Sequence, residues 1–238
     1  MLNRIPALVL FLAIASSVHA QRAEPPSPAG LWKLRFDESS SQLKTGHYDA
    51  ALKISEKVIR QMIDQLGPGD AAMTAFGIAV THKALALAGL GREEDALWYW
   101  HTVVTLYPAF AESDLSMFGE PGAYLARNRD PHARFGGTPP PPTISGDPRI
   151  RPPRVRKRVE VEFAKGARAF GTSGELIADF VVTKDGAVIA PRVLRALPAP
   201  TLTYTALEAL RRWKIEPGTI DGKPADVIFF LKVHYKLD

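Results

Sequence analysis

Apolar positions along the chain follow two different periods, and the change falls past its middle. Phe36 to Thr45 predicts a helix stopped by Gly46. Tyr48, Ala51, Leu52, Ile54, Val58 and Ile59 then recur at helical spacing, and this stretch ends before Gly67-Pro68-Gly69. Ala71 to Ala88 is small and apolar without strand alternation, which predicts a third helix punctuated by Gly89 and Gly91. A fourth is predicted over Glu93 to Leu106, closed by Pro108, with Glu93, Glu94 and Asp95 in the first turn where acids suit the helix dipole. Beyond Val159 the pattern becomes that of strands. Residues 175–183 (ELIADFVVT) have β-rich composition, Lys184-Asp185-Gly186 predicts a hairpin turn, and Ala187 to Leu194 returns as a second strand. A helix is predicted from Tyr204 to Trp213, capped by Thr201 or Thr203, with Ala206, Leu207, Leu210 and Trp213 on one side. Glu216-Pro217-Gly218 ends it, and a loop follows at Asp221-Gly222-Lys223-Pro224. The last run alternates: Val227, Phe229, Leu231, Val233, Tyr235 and Leu237 point one way, Lys232, His234 and Lys236 the other. One face is therefore buried and one is wet.

Between the two patterns, residues 131–153 hold eight prolines, including Pro139 to Pro142, a composition that favours extended polyproline II. The expected organisation is a helical domain over 31–130, a Pro/Arg-rich linker over 131–158 and a small α/β domain over 159–238, with a Pro-rich lead at 21–30. Residues 1–20 stand apart. Arg4, the apolar stretch Ala7 to Ala15 and small residues up to Ala20 make the three-part pattern of a secretory signal, with cleavage between Ala20 and Gln21. The other reading of the same stretch is an uncleaved anchor.

Composition adds little to this picture, but charge adds something. The net charge of +5 is uneven: residues 21–136 carry 12 basic and 14 acidic side chains, residues 137–238 carry 17 and 11. The excess concentrates in Arg149, Arg151, Arg154, Arg156, Lys157 and Arg158. An exported chain seldom meets nucleic acid, so this run reads as a solvated linker able to touch an acidic partner or anionic lipid headgroups.

Candidate chemistry is sparse. Cysteine is absent, which removes thiolate metal sites and thiol nucleophiles. The six histidines form no close-spaced ligand pattern, and HExxH, GxSxG and phosphate-loop motifs do not occur. Glu93-Glu94-Asp95 reads as a solvated first helical turn. Trp98, Tyr99 and Trp100 are either core or the wall of a ligand site. No enzyme, cofactor or metal is expected.

Two resemblances sharpen the reading. Gly46-His47-Tyr48-Asp49-Ala50-Ala51-Leu52 recurs as Gly91-Arg92-Glu93-Glu94-Asp95-Ala96-Leu97, each with Gly at the turn and Ala then Leu five and six residues later. With Ala84 and Pro108 the second copy resembles tetratricopeptide repeats, in which small residues let paired helices approach closely. An unrelated pair of helical hairpins is the alternative.

Over 159–238, Gly174, Lys184-Asp185-Gly186, the string Ala206-Leu207-Glu208-Ala209-Leu210-Arg211-Arg212-Trp213-Lys214-Ile215-Glu216-Pro217 and Asp221-Gly222-Lys223-Pro224-Ala225 together resemble the TonB C-terminal family. Phe163-Ala164 stands where that family usually has Tyr-Pro. The resemblance implies a ββαβ module with a three-stranded antiparallel sheet, in the periplasm. It also implies that the last strand, at Val227, Phe229, Leu231, Val233 and Tyr235, lends its edge to a peptide of an outer-membrane transporter. Three readings follow: a periplasmic adaptor holding protein partners, a short membrane-anchored energy transducer, and an envelope enzyme or ligand binder. Peripheral membrane contact is compatible with each, and the oligomeric state is open.

Overall fold

The computed structural model describes residues 28–66, 73–135, 147–161 and 173–235. The signal residues Ala20 and Gln21, the run Pro139 to Pro142, Phe163-Ala164 and the strand ends Lys236 and Leu237 lie outside them.

Four consecutive helices come first: α1 (Pro28–Lys44), α2 (Tyr48–Gln65), α3 (Met73–Gly89) and α4 (Glu93–Leu106), followed by 3-10 turns and α5 (Gly119–Arg127). Helix α1 begins earlier than its predicted start at Phe36. Proline is tolerated in a first turn, where no intrahelical acceptor awaits its missing N–H, and Trp32, Ser39 and Leu43 then form a buried stripe. The turns after α1 and α3 share one geometry. Gly46 and Gly91 adopt φ of 78° and 72°. Around them His47 N–H donates to Gln42 O and Gly46 N–H to Leu43 O, just as Arg92 N–H donates to Leu87 O and Gly91 N–H to Ala88 O. These are two Schellman motifs, which need a left-handed residue that glycine supplies without strain. Turns this short force each helix pair antiparallel. Ala51 and Ala96, one turn into the following helices, have no exposed surface. Helix α3 is central: Phe76, Ala79, Val80 and the whole run Thr81–Leu87 are buried. A helix apolar on every side must be covered on every side, and α1, α2, α4 and α5 all pack against it.

The second half is built on a three-stranded antiparallel sheet in the order β4-β3-β8, where β3 is Gly174–Val182, β4 Val188–Arg195 and β8 Val227–Tyr235. Helix α6 (Pro200–Arg211) lies between β4 and β8 in sequence, followed by β5 (Lys214–Glu216), β6 (Thr219–Ile220) and β7 (Lys223–Pro224). Several local expectations change. Thr201 and Thr203 do not cap α6: Ala199 is the N-cap, Pro200 opens the first turn, and Thr203 Oγ1 accepts the Leu197 N–H at 2.9 Å. The hairpin turn expected at Lys184-Asp185-Gly186 joins β3 to β4, within a loop from Thr183 to Ala187 in which Gly186 takes φ 81°. A two-residue hairpin forms at Asp221-Gly222, both with positive φ, joining β6 to β7 in place of the expected loop.

The basic stretch differs most from expectation. Ile150–Arg151 (β1) pairs with β6, and Arg154–Lys157 (β2) pairs with β5. Pro152 and Pro153, which have no N–H to give a ladder, separate the two short strands. The end of the expected linker is thus a layer of the C-terminal module, and the Trp213 indole donates to Val159 O at 3.1 Å.

The helical part and the sheet are not two separate bodies. Helix α4 packs on β4, and α6 touches α2 and α3. Tyr204 of α6 is stacked on Tyr99 at 6.0 Å and meets Phe76 edge-on at 5.3 Å. On its other side Ala206, Leu207 and Leu210 are buried with Leu176, Ala178 and Phe180 of β3. Polar groups complete the contact. The Tyr99 hydroxyl donates to Glu208 at 3.1 Å, and Arg211 pairs with Asp95, which Arg92 also holds at 2.6 Å. Lys83 Nζ lies 3.9 Å above the Tyr99 ring and 3.5 Å from Glu56. Burial pulls the Lys83 ammonium below its ordinary pKa, against the pull of Glu208 and Glu56.

Because one core runs through both halves, urea should unfold them in a single transition seen alike by tryptophan fluorescence and far-UV circular dichroism. Tyr204→Ala should lower stability by about 3 kcal/mol. Two well-separated transitions in the parent protein would contradict the shared core. His82 supplies a pH dependence. It is buried between Phe36 and Phe118, its Nδ1 finds no partner among the described residues, and desolvation holds its pKa down to about 4. The unfolded chain therefore binds a proton that the folded chain refuses, and stability falls as pH drops from about 6.5 towards 4, by up to about 3 kcal/mol. His82→Phe should flatten that part of the profile in pH-dependent thermal melts, and an unchanged slope would count against it.

Candidate peptide-docking edge

Strand β8 is the longest exposed edge the sheet offers. Its nine residues pair with β3 in unbroken register from Gly174↔Tyr235 to Val182↔Val227. Among the described residues no strand pairs its other side. An edge of this length presents a regular row of backbone donors and acceptors.

The two side-chain rows of β8 have different fates. Val227 has no exposed surface, while Phe229, Leu231, Val233 and Tyr235 are half-buried, and Phe229 lies 5.6 Å from Phe180. This is the row that the alternation assigned to the buried face, and it packs into the module's own core. Burial pushes the Tyr235 phenol up to about 12. These five residues therefore position the strand from behind, and the surface beside the open edge is the other row. There Phe230 is 39% exposed, with Lys232 and His234. Phe230 escaped the sequence reading because an exposed aromatic breaks the alternation only by its chemistry, not by its position.

Charge on this row is paired laterally. Glu175 on β3 faces His234 across the ladder and takes Lys232 at 2.8 Å, His234 at 3.3 Å and Arg195 of β4 at 2.8 Å. The Lys232 ammonium holds the Glu175 carboxyl below its usual range. Glu175 too was missed, since only the strand register brings it opposite His234.

The opposite edge is closed by a different means. In β4, Ala190 takes φ 51° and is followed by Pro191, and the pairing with β3 shifts register twice. His132 reaches the Ala190 carbonyl at 3.2 Å and Asp179 at 3.5 Å, and Arg192 grips Asp179 through two hydrogen bonds at 3.1 and 2.6 Å. A bulged, proline-bearing strand with α4 packed on it is a poor template for another strand.

Residues 159–237 match the family described as Gram-negative bacterial TonB protein C-terminal. These residues are a TonB C-terminal domain. Protein TonB of Vibrio cholerae serotype O1 is 26% identical over 88 residues, 37% of this chain and 36% of that protein. Protein TonB of Escherichia coli K12 is 35% identical over 66 residues, 28% of each. The chain thus matches only about a third of the length of these relatives. No solved structure matches it. The helices ahead of the TonB C-terminal domain lie outside the residues that the family match covers.

Other candidates resolve differently. Trp98, Tyr99 and Trp100 are all buried, and Arg211 lies over the Trp98 and Tyr99 rings at 5.2 and 5.8 Å, so the aromatic cluster is core and interface rather than a ligand site. Glu93 and Glu94 are exposed, as expected of a solvated turn, whereas Asp95 is drawn to Arg211. Among the described residues no group of His, Asp and Glu has the arrangement of a metal site, and no helix is long and apolar enough to cross a membrane.

Proposed function

We propose that this protein is a periplasmic adaptor of the TonB family, which takes an extended peptide of an envelope protein onto the edge of β8. The observation that carries this reading is the unbroken nine-residue register of β8 beside a bulged and covered opposite edge. Backbone hydrogen bonds would give affinity, and Phe230, Lys232 and His234 would select the peptide's side chains. The likeness to the TonB C-terminal family supports a segment of an outer-membrane transporter as the peptide.

The helical part serves as a second protein-binding scaffold in this reading. The matched Schellman turns at Gly46 and Gly91, each followed by a fully buried alanine, support its likeness to tetratricopeptide repeats. Binding, not catalysis, is the work assigned to both parts.

A short extended peptide from an outer-membrane transporter should slow amide hydrogen exchange at alternate residues of Val227–Tyr235. Phe230→Thr should weaken its binding roughly tenfold in titration calorimetry while changing the unfolding free energy by no more than about 0.5 kcal/mol. Protection confined to the helices would move the site away from β8. Export as a released protein predicts a mature N-terminus at Gln21. Recovery of Met1 in the inner-membrane fraction would instead favour the anchored transducer.

A further inference from the structure

We infer that the short ribbon of β2 and β5 is a cationic platform that seats the protein on an anionic lipid surface. This goes beyond the strand-edge reading and does not rest on it.

The ribbon is amphipathic by register. Val155 faces Ile215 across the ladder, and Ile215 is buried, so this pair turns inward. Arg154, Arg156, Lys157 and Lys214 are exposed, joined by a single carboxylate, Glu216. Arg156 pairs with Glu216, and among the described residues no acid pairs with Arg154, Lys157 or Lys214. Lys157 and Lys214 stand directly opposite each other in the pairing. Like charges so placed repel and weaken the ladder unless an anion lies over them. Arg158 extends the row, its guanidinium 5.3 Å from the Trp213 ring. Beside the ribbon opens a cleft of about 460 Å³ lined by Arg151, Pro152, Arg154, Glu216, Pro217 and Thr219.

The form of this surface favours a membrane over a small soluble anion. Its cations are spread along an exposed ladder and do not converge on one buried point, which suits a plane of phosphate headgroups. On either reading of Ala7 to Ala15, an anchor or a signal that is removed after export, a lipid surface lies within reach of the chain in the envelope. Lysines and arginines held near such a surface each add to binding, and salt screens the effect.

The test is co-sedimentation of the full chain with vesicles of phosphatidylcholine alone and of equal parts phosphatidylcholine and phosphatidylglycerol. The N-terminal apolar stretch partitions into both, so the readout is the ratio of the two affinities. That ratio should favour the anionic vesicles and shrink as salt rises. It should drop by about a hundredfold in Arg154→Gln/Arg156→Gln/Lys157→Gln. The control Lys53→Gln/Lys57→Gln/Arg60→Gln, with the same charge lost from α2, should keep it. If the triple variant does not fold, Lys214→Gln alone should lower the ratio about fivefold. The proposal is overturned if these ribbon variants retain the full ratio or the α2 control loses as much. It is also overturned if inorganic phosphate at matched ionic strength, or a short single-stranded DNA, displaces the protein from the vesicles.

Discussion

Helix α6 is the element on which the rest of the molecule depends, because it must satisfy two surfaces at once. One side, where Ala206, Leu207 and Leu210 are buried, packs towards the sheet and touches β4. The other side meets α3 and α4 through Tyr204, Glu208 and Arg211. A three-stranded sheet with one helix buries little on its own, and the helical part supplies the missing cover. The contact is wet-edged rather than purely apolar. Charged groups sit at its rim, where Lys83 lies over an aromatic ring and Asp95 joins two arginines. Such groups cost desolvation, and they fix the relative placement of the two halves because only one arrangement pairs them.

That placement decides which strand edge stays open. Docking of α4 on β4, with His132, Asp179 and Arg192 gathered at the kink around Ala190, uses up one side of the sheet. Strand β8, at the other edge, keeps its full nine-residue register. Edge strands invite association, and charged residues on them hold it in check. Here Lys232 and His234 are tethered sideways by Glu175, so the edge remains available but carries its own charge pattern. In the proposed reading, Lys232 and His234 would serve both selectivity for a peptide and protection against unwanted pairing.

The basic ribbon places a second surface on the same module. Because β2 and β5 form their own small ladder, distinct from the β4-β3-β8 sheet, the proposed lipid platform and the proposed peptide edge would not compete for the same strands. A chain seated by one and engaged through the other would be held close to the envelope component it binds.

Periodicity and turn chemistry determined much of this by themselves. Helix α4 runs from Glu93 to Leu106, as its apolar spacing and Pro108 dictate, and the alternation in β8 correctly separates the row packed inward from the row left wet. Those signals are local, since each residue's neighbours along the chain decide its face. The composition of the string from Ala206 to Pro217 likewise carried the family. What only the tertiary structure decided is everything that joins distant segments. Arg154 and Lys157 read as solvated linker until the ladder sets Glu216 opposite Arg154 and Lys214 opposite Lys157, some sixty residues on. Tyr204 and Asp95 read as the start of one helix and the first turn of another until packing set Tyr204 against Tyr99 and Asp95 beside Arg211. The identity of the open edge is of the same kind. Pro191 marks β4 as the poorer template, but the helix that covers it is folded from residues about ninety positions earlier and is not announced within either strand.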